Sequence, residues 1–364
     1  MATSGQGIAG VSVVRPRLDE KPWGGRRLER YGLELPAGVP IGEALVTAGE
    51  AEIVAGAGAG MTLAAAITAN PSQALGEVAA RVVGGRSLFP LLVKLIDAKE
   101  NLSIQVHPND AQAASRDRLG KTEAWHVLAA EPGASIYAGL RDGVSMDEFR
   151  EAAARMDGTS ATLLRRVPAR VNSTILIPAG TVHALGAGVM VYEIQQPSDV
   201  TYRMDDWGRV DAQGNAREMH LEDGFAVMRP EVRPDWIEPI DLGAVEGRRH
   251  LITACRYFAV ERVALPGGGR YNLPSQRGPQ VVTLLQGVAS VGGEEISAGT
   301  SAVVWPGGET TLLASKPVVA LRGWVPDLAA DLPALTRRAE TYPYALERLD
   351  GPLSDIRDAL ASVR

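Results

Sequence analysis

Asn101-Leu102-Ser103-Ile104-Gln105-Val106-His107-Pro108 alternates polar and apolar side chains. In an extended chain successive side chains point to opposite faces, so Ser103, Gln105 and His107 share one face and Ile104 and Val106 the other. The same alternation recurs in Lys121-Thr122-Glu123-Ala124-Trp125-His126-Val127-Leu128, where Lys121 and Glu123 face one way and His126 the other. A third piece, Ile177-Pro178-Ala179-Gly180-Thr181-Val182-His183, reads as a strand ending in a Pro-Gly turn that delivers an imidazole to the strand edge. Further short apolar runs at 91–96, 173–177 and 189–194 are set off by Pro and Gly turns. This pattern predicts an all-β core.

Working outward, two helices decorate that core. One is expected over 72–83, capped by Ser72 and stopped by Gly84-Gly85; the other opens at the capping box Ser145-Met146-Asp147-Glu148 and runs to about 156. A second β-rich block spans 257–324, with hairpin turns expected at Gln286-Gly287 and Gly292-Gly293, and it contains no His. The polar, basic Arg248-Arg249-His250 places a boundary near 235–250. The expected organisation is therefore a first domain over 1–240, a second β domain over 241–327, and a helical tail over 328–364 packing on a barrel or on a partner subunit.

Composition narrows the function. At 364 residues, with 40 Gly and 23 Pro, the chain is globular and rich in turns. A net charge of -6, spread along the chain without a dense run of Lys and Arg, excludes the electrostatic footprint of a nucleic-acid binder. Residues 1–14 carry no basic residue before a weakly apolar stretch, and no run of 18 apolar residues occurs, so no membrane association and a soluble, cytoplasmic protein are expected. Cys255, the single cysteine, fits a reducing cytosol and cannot build a zinc ribbon or a redox pair. The glycine-rich 54–61 stretch fails as a dinucleotide fingerprint, because Met61 stands where the third Gly should be.

Any metal must then sit on His, carboxylate or amide groups. Taken singly, Gln105 could satisfy a backbone group, His107 could be a core histidine, and Glu123 could pair with Lys121. Their shared facing joins them. Two His, one amide and one carboxylate give a polar pocket suited to a borderline divalent ion. His126, facing away from Glu123, and His220 and His250, in polar surroundings, read as ordinary structural residues.

The stretches Pro90-Leu91-Leu92-Val93-Lys94, Ser103 to Asp110, Gly120-Lys121-Thr122-Glu123, Pro178 to Ala184 and Ser198-Asp199-Val200-Thr201-Tyr202-Arg203, in this order and spacing, strongly resemble the type I mannose-6-phosphate isomerases in their short bacterial form. The resemblance extends from about Lys21 to about Val325. It implies two cupin barrels (double-stranded β-helix, jelly-roll), mainly β with a few helices, the first catalytic and the second without metal. It implies one Zn²⁺ per chain on Gln105, His107, Glu123 and His183, an essential Arg203, and Lys121 and Ser103 facing the substrate. Glu193, ten residues before Arg203, matches an acidic residue considered as the proton-transferring group. Departures lie at Gly42-Glu43-Ala44-Leu45, where relatives have an aromatic residue after the Glu and a small residue, at His126, which replaces a Tyr, and in the longer tail.

The implied reaction interconverts mannose 6-phosphate and fructose 6-phosphate through an enediol. It moves one proton between C1 and C2 and needs no redox metal. A carboxylate such as Glu193 is chemically able to shuttle that proton. Arg203, Lys121 and Ser103 offer forked, point-charge and neutral donors to a sugar phosphate. Three alternatives are weighed beside it: an isomerase of an unphosphorylated aldose, a cupin Fe(II) oxygenase, and a sugar-binding cupin without turnover. An amide in place of a third imidazole argues against the oxygenase, and the retained Lys121, Glu193 and Arg203 argue against binding alone. A monomer or homodimer is expected.

Overall fold

The computed structural model describes residues 8–211, 213–243, 246–336 and 343–362. Residues 1–7 and part of the expected tail helices therefore lie outside the described residues.

The chain is mainly β, in four antiparallel sheets. A seven-stranded sheet runs in the order Trp236–Ile237, Thr174–Ile177, Glu123–Ala130, Val189–Gln195, Leu92–Asp97, Ile41–Leu45 and Arg17–Gly25. A five-stranded sheet runs Tyr202–Asp205, Ile104–Val106, His183–Leu185, Ser135–Leu140 and Leu164–Pro168. These two pack face to face through Trp125, Val127, Ile175 and Val191 on one side and Ile136, Ala138 and Leu185 on the other. A second pair, of eight and four strands, is built largely from the C-terminal half and packs through Val263, Val282 and Ala302 against Tyr271, Val291 and Leu312.

The two larger sheets also pack against each other, joining Val93, Tyr192 and Ile194 to Val260, Val281 and Leu321 in one core with the helix at Pro71–Val82. Covered on both faces, the central strands are buried along their length rather than on alternate residues; Val189–Gln195 is buried at all seven positions, Glu193 and Gln195 included. The outer face of the five-stranded sheet is closed by the helices Met146–Ala153 and Leu221–Val227, through Phe149 and Phe225.

Strand pairing crosses the boundary read near residue 240. Val11–Arg15 pairs with Ser301–Val304, and Glu52–Gly56 joins its other edge, so both sit in the eight-stranded sheet. A cut at residue 240 would divide that sheet.

Local signals fared unevenly. The Ser145 capping box is present, with Glu148 N donating to Ser145 Oγ and Ser145 N donating to Glu148. The expected cap at Ser72 is displaced to Asn70, whose side chain accepts from Gln73 N, because Pro71 takes the first helical position. That helix also kinks at Gly76, where φ is +64° and a Cβ would lie 1.8 Å from Arg277 O, so only glycine fits. The Gly292-Gly293 hairpin forms between Val288–Val291 and Glu294–Ser297. Gln286-Gly287 does not close a hairpin: it passes the chain from the eight-stranded to the four-stranded sheet.

The tail is covered, with Leu332, Leu346, Leu349 and Ile356 buried in the main core. Its Asp350 is buried too. Burial pushes that carboxyl up to about 7, against a hydrogen bond from Ile356 N and with Asp355 nearby. The folded chain thus keeps a proton there that an unfolded chain releases near pH 4, so folding takes up a proton in that window and stability falls as the pH rises through it. Asp350→Asn is expected to raise the urea midpoint at pH 8 clearly more than at pH 5. An equal change at both pH values would show that the titration of Asp350 is not coupled to folding.

Candidate active site

Three neighbouring strands of the five-stranded sheet set His183, Gln105 and Arg203 in one row. His183 is the cross-strand partner of Gln105, and Gln105 of Arg203. Directly opposed residues on adjacent strands bring their Cβ atoms close, so this register carries the three side chains to one place. Glu123 comes from the first residue of its strand in the facing sheet, and His107 from the loop just past Ile104–Val106.

The side chains converge. His183 Nε2 lies 3.2 Å from Glu123 Oε1, and His107 Nε2 3.5 Å from Glu123 Oε2. Gln105 Nε2 is 3.3 Å from His183 Nε2. The outward nitrogens of both rings are fixed to backbone carbonyls, His107 Nδ1 to Val200 O at 2.9 Å and His183 Nδ1 to Thr181 O at 2.8 Å. A ring that donates from Nδ1 presents its Nε2 lone pair inward, the tautomer a metal needs. The donor atoms of His107, Glu123 and His183 all lie within 4.8 Å of one another.

Their charge states suit the same purpose. Burial, and after it the Lys121 ammonium, hold the His107 imidazole well below its ordinary range, so it stays neutral. For Glu123 burial pulls upward, but Lys121, His107 and His183 outweigh it and hold the carboxyl well below its usual range. Both oxygens of this buried carboxylate lack a well-directed hydrogen bond, although Lys121 Nζ stands 2.9 Å from Oε2. Two imidazole Nε2 atoms closing on a buried carboxylate make a donor set that suits a cation held between them. Swapping the Gln105 amide would aim its oxygen where Nε2 now points, completing a set of two imidazoles, an amide and a carboxylate.

Beside this cluster opens a cleft of about 430 Å³ lined by Gln105, Ser103, Lys121, Glu193 and Arg203. Six cationic side chains face it, Arg17, Lys21, Lys94, Lys121, Arg203 and Arg217, against the carboxylates of Asp19, Glu43, Glu193 and Asp199. Five of the six are paired with carboxylates, Glu50, Glu123 and Asp206 among them, and Arg203 is the cation whose Nε is left open towards an anion. Glu193 is buried, with Trp125 Nε1 donating to Oε2 at 2.8 Å and Lys94 Nζ forming an ion pair 3.0 Å from Oε1, which lacks a well-directed hydrogen bond. Burial works against the Lys94 charge, yet Glu193 and Glu43 prevail and raise its pKa, so it remains an ammonium. Arg203 donates from Nη1 to Glu218 O at 2.7 Å, while its Nε has no hydrogen-bond partner among the described residues. Burial, and then Arg217, lower its pKa.

All eight residues singled out in the sequence thus meet in one region. Lys94, Glu43, Lys21 and Arg217 were not singled out. Lys94 had a signal: it is the one charge in the apolar run 91–96. Of the remaining histidines, His126 is buried on the far side of its strand against Thr174 Oγ1, and burial with Arg262 pushes it down to about 3. His220 lies nearer than its polar surroundings implied, its Nδ1 accepting from Arg203 N at 3.3 Å.

The phosphomannose isomerase type I catalytic-domain family model matches residues 13–129. Mannose-6-phosphate isomerase ManA of Bacillus subtilis is 32% identical over 286 residues, covering 75% of this chain and 84% of that protein. The chain belongs to the type I phosphomannose isomerase family. The mannose-6-phosphate isomerase of Streptococcus mutans is 34% identical over 59% of this chain, a match that spans 66% of that relative's length. The crystal structure of the Bacillus subtilis mannose 6-phosphate isomerase superposes with a TM-score of 0.75 at 25% identity, over 87% of this chain and all of that one. A zinc-bound mannose 6-phosphate isomerase shares the fold, with a TM-score of 0.68 at 16% identity over 87% of this chain and 100% of that one. Among the described residues no helix is long and apolar enough to cross a membrane.

Proposed function

We propose that the chain interconverts mannose 6-phosphate and fructose 6-phosphate, with one Zn²⁺ held by Gln105, His107, Glu123 and His183. The observation that carries this reading is the buried Glu123 carboxylate on which two imidazoles close with their Nε2 atoms, set beside a cleft lined by Lys and Arg side chains. A borderline ion suits that mixed nitrogen and oxygen set. When bound, zinc supplies Lewis-acid stabilisation of negative charge on the substrate's carbonyl oxygen.

The rest of the chemistry falls to the chain's own groups. Glu193 takes the proton from one carbon and returns it to the other, its two oxygens oriented by the Trp125 indole and the Lys94 ammonium. Lys121 and Arg203 bring fixed positive charge to the enediolate and the phosphate, and Arg217 and Lys21 add to the anion-binding rim. Ser103, buried beside Gln105, contributes a neutral donor. The buried thiol of Cys255, the chain's single cysteine, supports a cytoplasmic setting.

The test is turnover of mannose 6-phosphate and fructose 6-phosphate by the full chain before and after treatment with a chelator. Loss of activity on chelation and recovery on adding Zn²⁺ are expected. Turnover indifferent to chelation would overturn the metal assignment, and activity on free mannose alone would overturn the phosphate. Oxygen consumption with iron bound would move the chain to the oxygenases.

A further inference from the structure

The metal-ligand cluster draws nothing directly from the C-terminal half, yet one side chain of that half reaches its scaffold. Tyr257 lies in the turn between the strands Arg248–Ala254 and Ala259–Leu265 of the eight-stranded sheet. Its hydroxyl donates to Asp110 Oδ2 at 2.8 Å. The other oxygen of Asp110 accepts from Gly120 N at 2.8 Å and from Gln196 Nε2 at 2.9 Å. Gln196, buried, in turn accepts at Oε1 from Thr122 N at 2.9 Å and donates its own N–H to Thr122 O.

Residues 120–122 precede the strand that starts at Glu123, so no ladder holds them on their own account. What fixes them is this set of bonds, together with Lys121 N donating to Pro108 O. Thr122 extends the clamp to the third ligand segment, its Oγ1 accepting from Ala179 N in the turn before His183. Gly120 packs so closely that a Cβ there would lie 2.5 Å from Asp110 N. The tail holds the other end, since Asp355 accepts from both the backbone N–H and the guanidinium of Arg256, the residue before Tyr257.

We propose that Asp110 is a positioning residue for Lys121 and Glu123, anchored by Tyr257, so that the half of the chain without metal ligands sets the affinity of the metal site. A carboxylate accepting three donors is a stiff joint, because charge-assisted bonds are about twice as strong as neutral ones. Bonds made directly to a ligand fix its aim, and losing one lowers metal affinity by about 10- to 100-fold; Asp110 acts on the backbone that carries Lys121 and Glu123 and is expected to approach that range. The inference rests on the metal reading given above.

The test uses the full chain, stripped of metal and titrated with Co²⁺ against a competing chelator, reading affinity and the visible Co²⁺ absorption. Asp110→Ala is expected to weaken Co²⁺ binding about 10- to 100-fold and alter the absorption bands. Asp110→Asn is expected to lose less than Asp110→Ala, since its amide oxygen still accepts from Gly120 and Gln196 and its NH₂ can donate to the Tyr257 hydroxyl, although these bonds no longer carry the carboxylate charge. Tyr257→Phe should show a smaller loss in the same direction. A folded Asp110→Ala with parental affinity overturns the inference; if that variant does not fold, parental affinity and spectrum in Tyr257→Phe overturn it. A parent chain that takes up no Co²⁺ overturns the metal reading itself.

Discussion

Glu123→Gln is expected to leave the chain without metal and to lower kcat/KM by about a thousandfold or more, a loss of about 4 kcal/mol in transition-state stabilisation. Glu123 is the one anion among the four expected ligands, and both imidazoles close on it. An amide there keeps the volume and removes the charge that balances a divalent cation. It also strands Lys121, whose ammonium lies 2.9 Å from the carboxylate in a buried setting. Breaking a buried pair by removing one partner costs about 3–5 kcal/mol, so a lower melting temperature should accompany the lost activity. Lys121→Met in the same chain should restore part of the stability and none of the metal. The measurements are metal per chain, turnover and thermal unfolding. A Glu123→Gln chain that keeps stoichiometric zinc and turns over near the parental rate would remove Glu123 from the site.

The ligand-bearing segments were legible because extended backbone alternates its faces in a two-residue period, even where, as at His107 and Lys121, the residue lies just outside the strand. Ser103, Gln105 and His107 could be placed on one side, and Lys121 and Glu123 together, before any contact was known. The row from His183 through Gln105 to Arg203 could not, because it depends on the register of strands far apart in sequence. The same limit hid the return of Val11–Arg15 to the sheet of the C-terminal half: nothing local in Val11-Ser12-Val13-Val14 names its partner near Ser301. Lys94 escaped for a different reason. A single lysine in an apolar strand signals a buried charge but not its role, until Glu193 is found on the neighbouring strand as its direct partner. The displaced cap at Asn70 shows a local rule losing to a stronger one, since Pro71 is already suited to the first turn and makes the residue before it the cap.

Glu193→Gln is expected to lower kcat by about 10²- to 10⁴-fold, the usual worth of a positioned general base, with zinc content unchanged. The substitution is nearly isosteric, and the Trp125 indole can still donate to the side-chain oxygen. The new NH₂ would then face the Lys94 ammonium, 3.0 Å away, where two donors meet and no acceptor stands between them. Lys94 keeps the more distant Glu43, at 3.9 Å, and the charge of Glu123, so some loss of stability should appear as well. Adding Lys94→Met to Glu193→Gln separates the two effects, because it relieves the donor conflict and leaves the proton carrier absent. The double variant should regain stability and remain slow. Substrate carrying deuterium at C2 gives the decisive reading: the parent should exchange it with water during turnover, and Glu193→Gln should lose exchange in step with kcat. Parental exchange in Glu193→Gln would assign the proton to another group, and the ion pair with Lys94 would then be a structural tie across the floor of the cleft.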